Sequence, residues 1–117
     1  MAWDLANTGG HELSNTSGVP VSALPLSMAC WFNPDVTNLA RDLISLRSSD
    51  SVARIQLHVG SDAKLRANID AVNLAATTTS YGSGTWQHAA AVFTSTTDRS
   101  VFLDGGGKGT SVALATN

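Results

Sequence analysis

Hydrolysis of a glycosidic bond needs two carboxylates held at a fixed separation across the scissile bond, and this chain has few acids from which to build such a pair. Nine of its 117 residues are Asp or Glu, and Glu12 is the only glutamate. No strand-like segment carries two acids at i and i+2, the spacing that would set both on one face. His11, His58 and His88 lie far apart, and none has a neighbour at the spacing of a metal site. The run from Gly105 to Gly109 has the composition of a phosphate-binding loop without its spacing. The glycine needed five positions before the Gly107-Lys108 pair is Phe102, and the hydroxyl residue needed after the lysine is Gly109. Cys30 is the single cysteine, which excludes an internal disulfide. Between Met28 and Phe32 it reads as a small buried hydrophobe, because an activated thiol needs a cationic neighbour that the local sequence lacks. Asn15-Thr-Ser17 has the form of a glycosylation acceptor, expected to be idle without a secretion signal. These residues assign no catalytic, cofactor-binding or metal-ligating position, and the chain is read as not an enzyme.

The elements that carry these residues are short strands. Apolar positions alternate more often than they recur at helical spacing, and they are rich in Val, Thr and aromatic residues. Leu26, Met28, Cys30 and Phe32 fall on one face, with Ser27, Ala29, Trp31 and Asn33 opposite. Over 52–59, Ala53, Ile55 and Leu57 alternate with Val52, Arg54, Gln56 and His58. Over 64–70, Leu65, Ala67 and Ile69 alternate with Lys64, Arg66, Asn68 and Asp70, and Gly60-Ser-Asp62 between these runs reads as a hairpin turn. Residues 38–47 fit either a helical stripe of Leu39, Leu43 and Leu46 or a short strand from Asp42, and length favours the strand. Residues 80–84 read as a loop, 86–94 as the longest strand, and 100–103 as its hairpin partner across the polar turn 95–98. Residues 104–109 read as a flexible glycine-rich turn into a strand over 110–114.

Composition bounds the partners. A hydrophobic content of 43% supports a real core in one domain over residues 1–117. A net charge of -2 leaves no basic footprint for neutralising phosphates, so nucleic acid is excluded as an expected partner. No apolar run is long enough to span a bilayer, and the first residues lack the layout of a signal peptide.

Four segments resemble motifs of the laminin G-like, concanavalin A-like jelly rolls. Gly84-Thr-Trp-Gln-His-Ala-Ala-Ala-Val-Phe is similar to the family's strand reading G-x-W-x-H-v-A, and the run from Arg99 to Asp104-Gly105 is similar to its hairpin partner. Upstream, Leu26 to Pro34 resembles the family's early tryptophan-bearing strand, and Leu43-Ile-Ser-Leu46 the strand that follows it. The resemblance implies an all-β antiparallel sandwich of jelly-roll type. Family members continue into return strands, so it also implies a domain incomplete at the C-terminus, with open edges that invite strand addition. Trp86 and His88, two apart and therefore on one face, are expected to belong to the fold signature, the tryptophan packed at the sandwich edge and the histidine hydrogen-bonded. Trp31 is expected to be packed, and Trp3 to begin an outer strand.

Calcium is the one cofactor the resemblance leaves open, because some laminin G-like domains hold it at the loop rim. Asp35, Asp50, Asp62 and Asp104 lie in or beside loops but form no dense acidic run, and none is assigned to a metal. This sandwich hosts lectins, adhesion modules, hydrolases and virion proteins. The first expectation is a structural or interaction module of a bacteriophage virion (capsid decoration, tail or fibre), assembled in the host cytoplasm from homo- or hetero-oligomers. The second is a carbohydrate-binding module that stacks Trp or Tyr81 on surface glycans. The third is a glycosidase fragment, ranked last for want of an acid pair.

Overall fold

The computed structural model describes residues 23–47, 54–70 and 72–113, with the side chains of residues 72 and 73 left aside. They form eight strands: β1 (Leu26–Phe32), β2 (Arg41–Arg47), β3 (Arg54–Val59), β4 (Leu65–Ile69), β5 (Val72–Ala76), β6 (Gln87–Ser95), β7 (Asp98–Leu103) and β8 (Gly106–Ser111). Two antiparallel four-stranded sheets result, the first in the order β1-β6-β7-β8 and the second in the order β2-β3-β4-β5. The expected all-β sandwich is what the chain forms. Among the described residues no helix is long and apolar enough to cross a membrane.

Period-two alternation decides which side chains meet between the sheets. Met28 and Phe32 of β1, Leu57 and Val59 of β3, and Phe93 and Val101 of β6 and β7 are buried there. Ala67, Ala75, Ala89 and Ala91 are wholly buried as well, so the centre is filled partly by methyl groups and the sheets approach closely. Half-buried Cys30 packs against this core, and burial raises its thiol pKa, which makes it the inert hydrophobe expected.

The strand favoured from Asp42 onward is β2, while two later elements depart from the sequence expectation. Residues 38–47 form no helix: β2 carries a bulge between Asp42 and Ile44. The extra residue lets Leu43, Ile44 and Leu46 all reach the core, which explains the helix-like spacing of its leucines. β5, a strand for which the sequence reading gives no expectation, is the five-residue run Val72–Ala76, too short and too rich in alanine to carry a clear period. The expected flexible turn over 104–109 is a tight one. Asp104 and Gly105 alone turn the chain, with φ of 51° and 74°, and Gly106 already pairs with Leu103. Asp-Gly with both φ positive is the two-residue hairpin whose twist matches its strands, and the remaining glycines belong to β8.

Loops at one end tie the sheets together. Buried Tyr81 packs edge-on against Phe32 and donates its hydroxyl to the Gly60 carbonyl at 3.2 Å. The Gln87 amide donates to the Gly82 carbonyl at 2.7 Å and accepts from the Gly82 N–H at 3.1 Å, which pins the loop leading into β6.

Candidate functional site

The outward faces of the two sheets differ in chemistry. On the second sheet the register aligns three rows of polar side chains: Asp42, His58 and Arg66; Ser45, Gln56 and Asn68; and Arg47 beside Arg54. Although they point away from the sandwich interior, Gln56 and Asn68 are only 5% and 2% exposed. Buried amides must bond, and here they do so in series. Gln56 Nε2 donates to Asp42 Oδ2 at 2.7 Å, and Asn68 Nδ2 donates to Gln56 Oε1 at 3.0 Å. Arg47 approaches the same Asp42 oxygen at 3.7 Å.

The series has a fixed direction. A carboxylate only accepts, so Gln56 must present its NH2 to Asp42, and its carbonyl then faces Asn68. Asn68 in turn presents its NH2 to Gln56, which leaves its own carbonyl oxygen without a partner. Asn68 Oδ1, His58 Nε2 and Asp70 Oδ2 are the buried side-chain atoms that lack a hydrogen bond among the described residues, and all three lie along β3 and the end of β4. Burial, the largest cause, lowers the His58 pKa. The charges of Arg66 and Arg54 act in the same direction, while Asp42 and a bond to the Val59 backbone oppose them.

The outward face of the first sheet mixes aromatic and aliphatic side chains with His88, Lys108 and the row of Ser27, Ser100 and Thr110 around Val92. Trp31 of β1 sits opposite His88 of β6, their rings edge to face at 5.2 Å. The next row is Ala29, Ala90 and Phe102, and Lys108 of β8 lies over the Phe102 ring at 5.8 Å. Val92 continues this surface, and Trp86 stands just before β6. Trp31 is 66% exposed and Trp86 57% exposed, so neither is packed as the sequence implied. For Trp31 the reason is parity: Met28 and Phe32 take the inward positions of β1, and an odd offset turns the indole outward.

A laminin G-type family model, described as the concanavalin A-like lectin/glucanases superfamily, matches residues 6–117. The chain belongs to this laminin G-like family. No curated protein and no solved structure matches it. The superfamily's description spans lectins and glucanases, so membership is compatible with carbohydrate binding and leaves catalysis open.

Against the laminin G-like signature, His88 differs in detail. Its backbone is fixed at the β7–β8 hairpin, where its N–H donates to Asp104 Oδ1 at 2.7 Å and its carbonyl accepts from the Asp104 N–H at 2.9 Å. Its ring meets Trp31, and among the described residues it has no side-chain hydrogen bond of the kind expected. Tyr81, named from the sequence as a stacking residue, is buried and unavailable. The loop acids are dispersed and engaged: Asp35 pairs with Arg41 at 3.6 Å, Asp62 binds Arg66 through both oxygens at 2.6 and 2.7 Å, and Asp104 caps its turn. The Arg66 guanidinium holds the Asp62 carboxyl below its ordinary pKa, chiefly through that hydrogen bond. No group of three His, Cys, Asp or Glu among the described residues is placed to hold a metal ion. Trp3, His11, Glu12, the Asn15 sequon and Asp50 lie outside the described residues.

Sequence reasoning missed Gln56, Asn68 and Asp42. Alternation did set Gln56 and His58 on one face of β3 and Asn68 on one face of β4. What could have singled them out is that amides, rather than long charged chains, occupy the middle of both outward rows.

Proposed function

We propose that the protein is a non-catalytic interaction module that docks on another protein subunit through the outward face of β1-β6-β7-β8, within an assembled particle of the bacteriophage virion type. The observation that carries this reading is Trp31, two-thirds exposed beside the row of Ala29, Ala90 and Phe102, with Val92 exposed between Ser27 and Ser100. Contiguous apolar surface of this kind marks interaction sites, and tryptophan is the residue type most enriched where binding energy concentrates. The low charge expected from the sequence supports close packing of many copies. A non-catalytic role is supported by the acids, since Asp35, Asp42, Asp62, Asp70 and Asp104 are each tied to an arginine, an amide or a backbone N–H. The test is co-sedimentation of the purified protein with the particle from its natural host. Wild type is expected to pellet with it, and Trp31→Ser combined with Trp86→Ser to stay in the supernatant while folded. A wild-type protein that remains a free monomer beside the particle ends this reading.

Carbohydrate binding is the second reading, favoured by the family and by the unsatisfied acceptors on the polar face. A glycan array probed with and without calcium tests it, and an array with no hits removes it.

A further inference from the structure

We infer that the edge of β1 left unpaired among the described residues pairs with β1 of a second copy of this chain, antiparallel about a two-fold axis at Ala29. The inference goes beyond the docking proposal, because it concerns the strand edge and not the outward face. β1 and β2 end the two sheets on one side of the sandwich, and β8 and β5 end them on the other. The second side is tightly closed, with the Ala76 carbonyl so near Gly109 that no Cβ fits and with Ala75 wholly buried. The first side is less covered: Leu26 and Cys30 of β1 and Leu43, Ile44 and Leu46 of β2 pack against the core yet are only partly buried. β1 also lacks the devices that keep an edge unpaired, namely charges, prolines, bulges or short length. β2 has Arg41, Asp42, Arg47 and a bulge, β5 has five residues and an irregular register with β4, and β8 has Lys108 and an irregular register with β7. Leu26–Phe32 is seven residues long without a charge, a proline or a break in its register with β6.

Backbone alternation fixes which groups the edge offers. The N–H and carbonyl of His88 both turn to Asp104 on the β7 side, so those of Ala89 and Ala91 turn to β1. Their partners Cys30 and Met28 bond β6, which leaves Ser27, Ala29 and Trp31 to present N–H and carbonyl groups at the edge. A second copy matches this row. About the axis, Ala29 exchanges both bonds with the partner's Ala29, and Ser27 does so with the partner's Trp31. On the core side Met28 meets the partner's Cys30, and Leu26 meets the partner's Phe32. Ser27 against Trp31 and Cys30 against Met28 each set a small side chain beside a large one. The strand carries no charge, so two copies meet without like charges opposed. The pairing joins the first sheets of both copies into one and covers Leu26 and Cys30 on the less covered side of the sandwich.

The experiment follows the mass of the full chain by sedimentation velocity over a wide range of concentration. Wild type is expected to reach twice the chain mass as concentration rises. Ala29 is exposed, so Ala29→Lys and Ala29→Glu leave the core alone, yet each sets like charges face to face at the axis. Each should weaken self-association by about tenfold or more, and an equal mixture of the two variants should recover a heterodimer. Melting curves confirm that both are folded. Amide hydrogen exchange reads the edge in the unmodified protein: the N–H groups of Ser27, Ala29 and Trp31 should exchange fast in dilute monomer and slowly in the dimer. Wild type that stays monomeric at every concentration overturns the inference, as does a dimer that Ala29→Lys leaves intact. Slow exchange of these groups in the monomer means that the chain covers its own edge, and the inference falls there too. Docking on the particle is read separately, by co-sedimentation, so either proposal can fail while the other stands.

Discussion

Arg99 is fully buried at the inward start of β7, an unusual place for a guanidinium. It donates to the Thr96 carbonyl at 3.2 Å, to the Ala113 carbonyl at 3.0 Å and to Ser111 Oγ at 3.4 Å, and so clamps the β6–β7 turn and the end of β8 to one side chain. Burial lowers its pKa, yet a guanidinium stays charged at any ordinary pH. Arg99→Leu fills similar volume but orphans these acceptors, and is expected to cost about 2–4 kcal/mol in urea unfolding. Arg99→Lys should recover little, because one ammonium cannot span acceptors placed for a planar fork. The sequence showed Arg99 as part of a strand motif. Its burial follows from an even offset to Val101 and Leu103, and alternation alone does not say whether such a position is covered. His58 makes a second prediction. Its folded pKa lies below the ordinary 6.5, so the native state binds fewer protons than the unfolded chain just below that pH. Stability is therefore full above about pH 6.5 and falls as the pH drops toward the lower folded value. His58→Gln should flatten this part of the stability curve between pH 7.5 and about 5, read as melting temperature against pH. An unchanged slope would show that His58 is not the group responsible.

At the scale of elements, β8 depends on having no side chain where it crosses the second sheet. A Cβ on Gly109 would run into the carbonyl of Ala76 at the end of β5, which is backbone and cannot swing away. A Cβ on Gly106 would meet only the Leu103 carbonyl at 3.9 Å, an ordinary contact. Gly109→Ala is thus expected to destabilise by about 1–3 kcal/mol through a forced separation of β8 and β5, while Gly106→Ala should change stability by no more than about 0.5 kcal/mol. Equal effects at the two glycines in chemical denaturation would remove this account. The same contrast shows what the sequence could convey. The run over 86–94 announced β6 and the family resemblance marked Asp104-Gly105 as a hairpin, because both signals are local. The glycines after the pair looked like a flexible loop, since their reason is a neighbour far away in the chain. β2 was ambiguous for a related cause: its bulge breaks the period by one residue, and a strand with a bulge copies helical spacing over a few positions.

For the whole molecule, the sandwich presents two outward faces of different chemistry: Trp31 and the row of Ala29, Ala90 and Phe102 on one, the Asp42–Gln56–Asn68 series on the other. The closed core between them lets each face change without disturbing its opposite. Trp31 is mostly exposed, so Trp31→Ser removes little packing and should shift unfolding free energy by no more than about 0.5 kcal/mol. Asn68→Ala removes a buried amide that bonds Gln56, and should cost about 1–2 kcal/mol with the fold retained. The two residues lie on opposite sides of the sandwich and share no partner, so their effects on stability should add to within about 0.5 kcal/mol in the double variant. Function should divide in the same way. Under the docking proposal, subunit association should fail with Trp31→Ser and survive Asn68→Ala. If Asn68→Ala abolished docking without unfolding the chain, the faces would have to communicate through the core. The side chains of the two faces share no hydrogen-bond or ring partner among the described residues, so independence of the two faces is the stronger expectation.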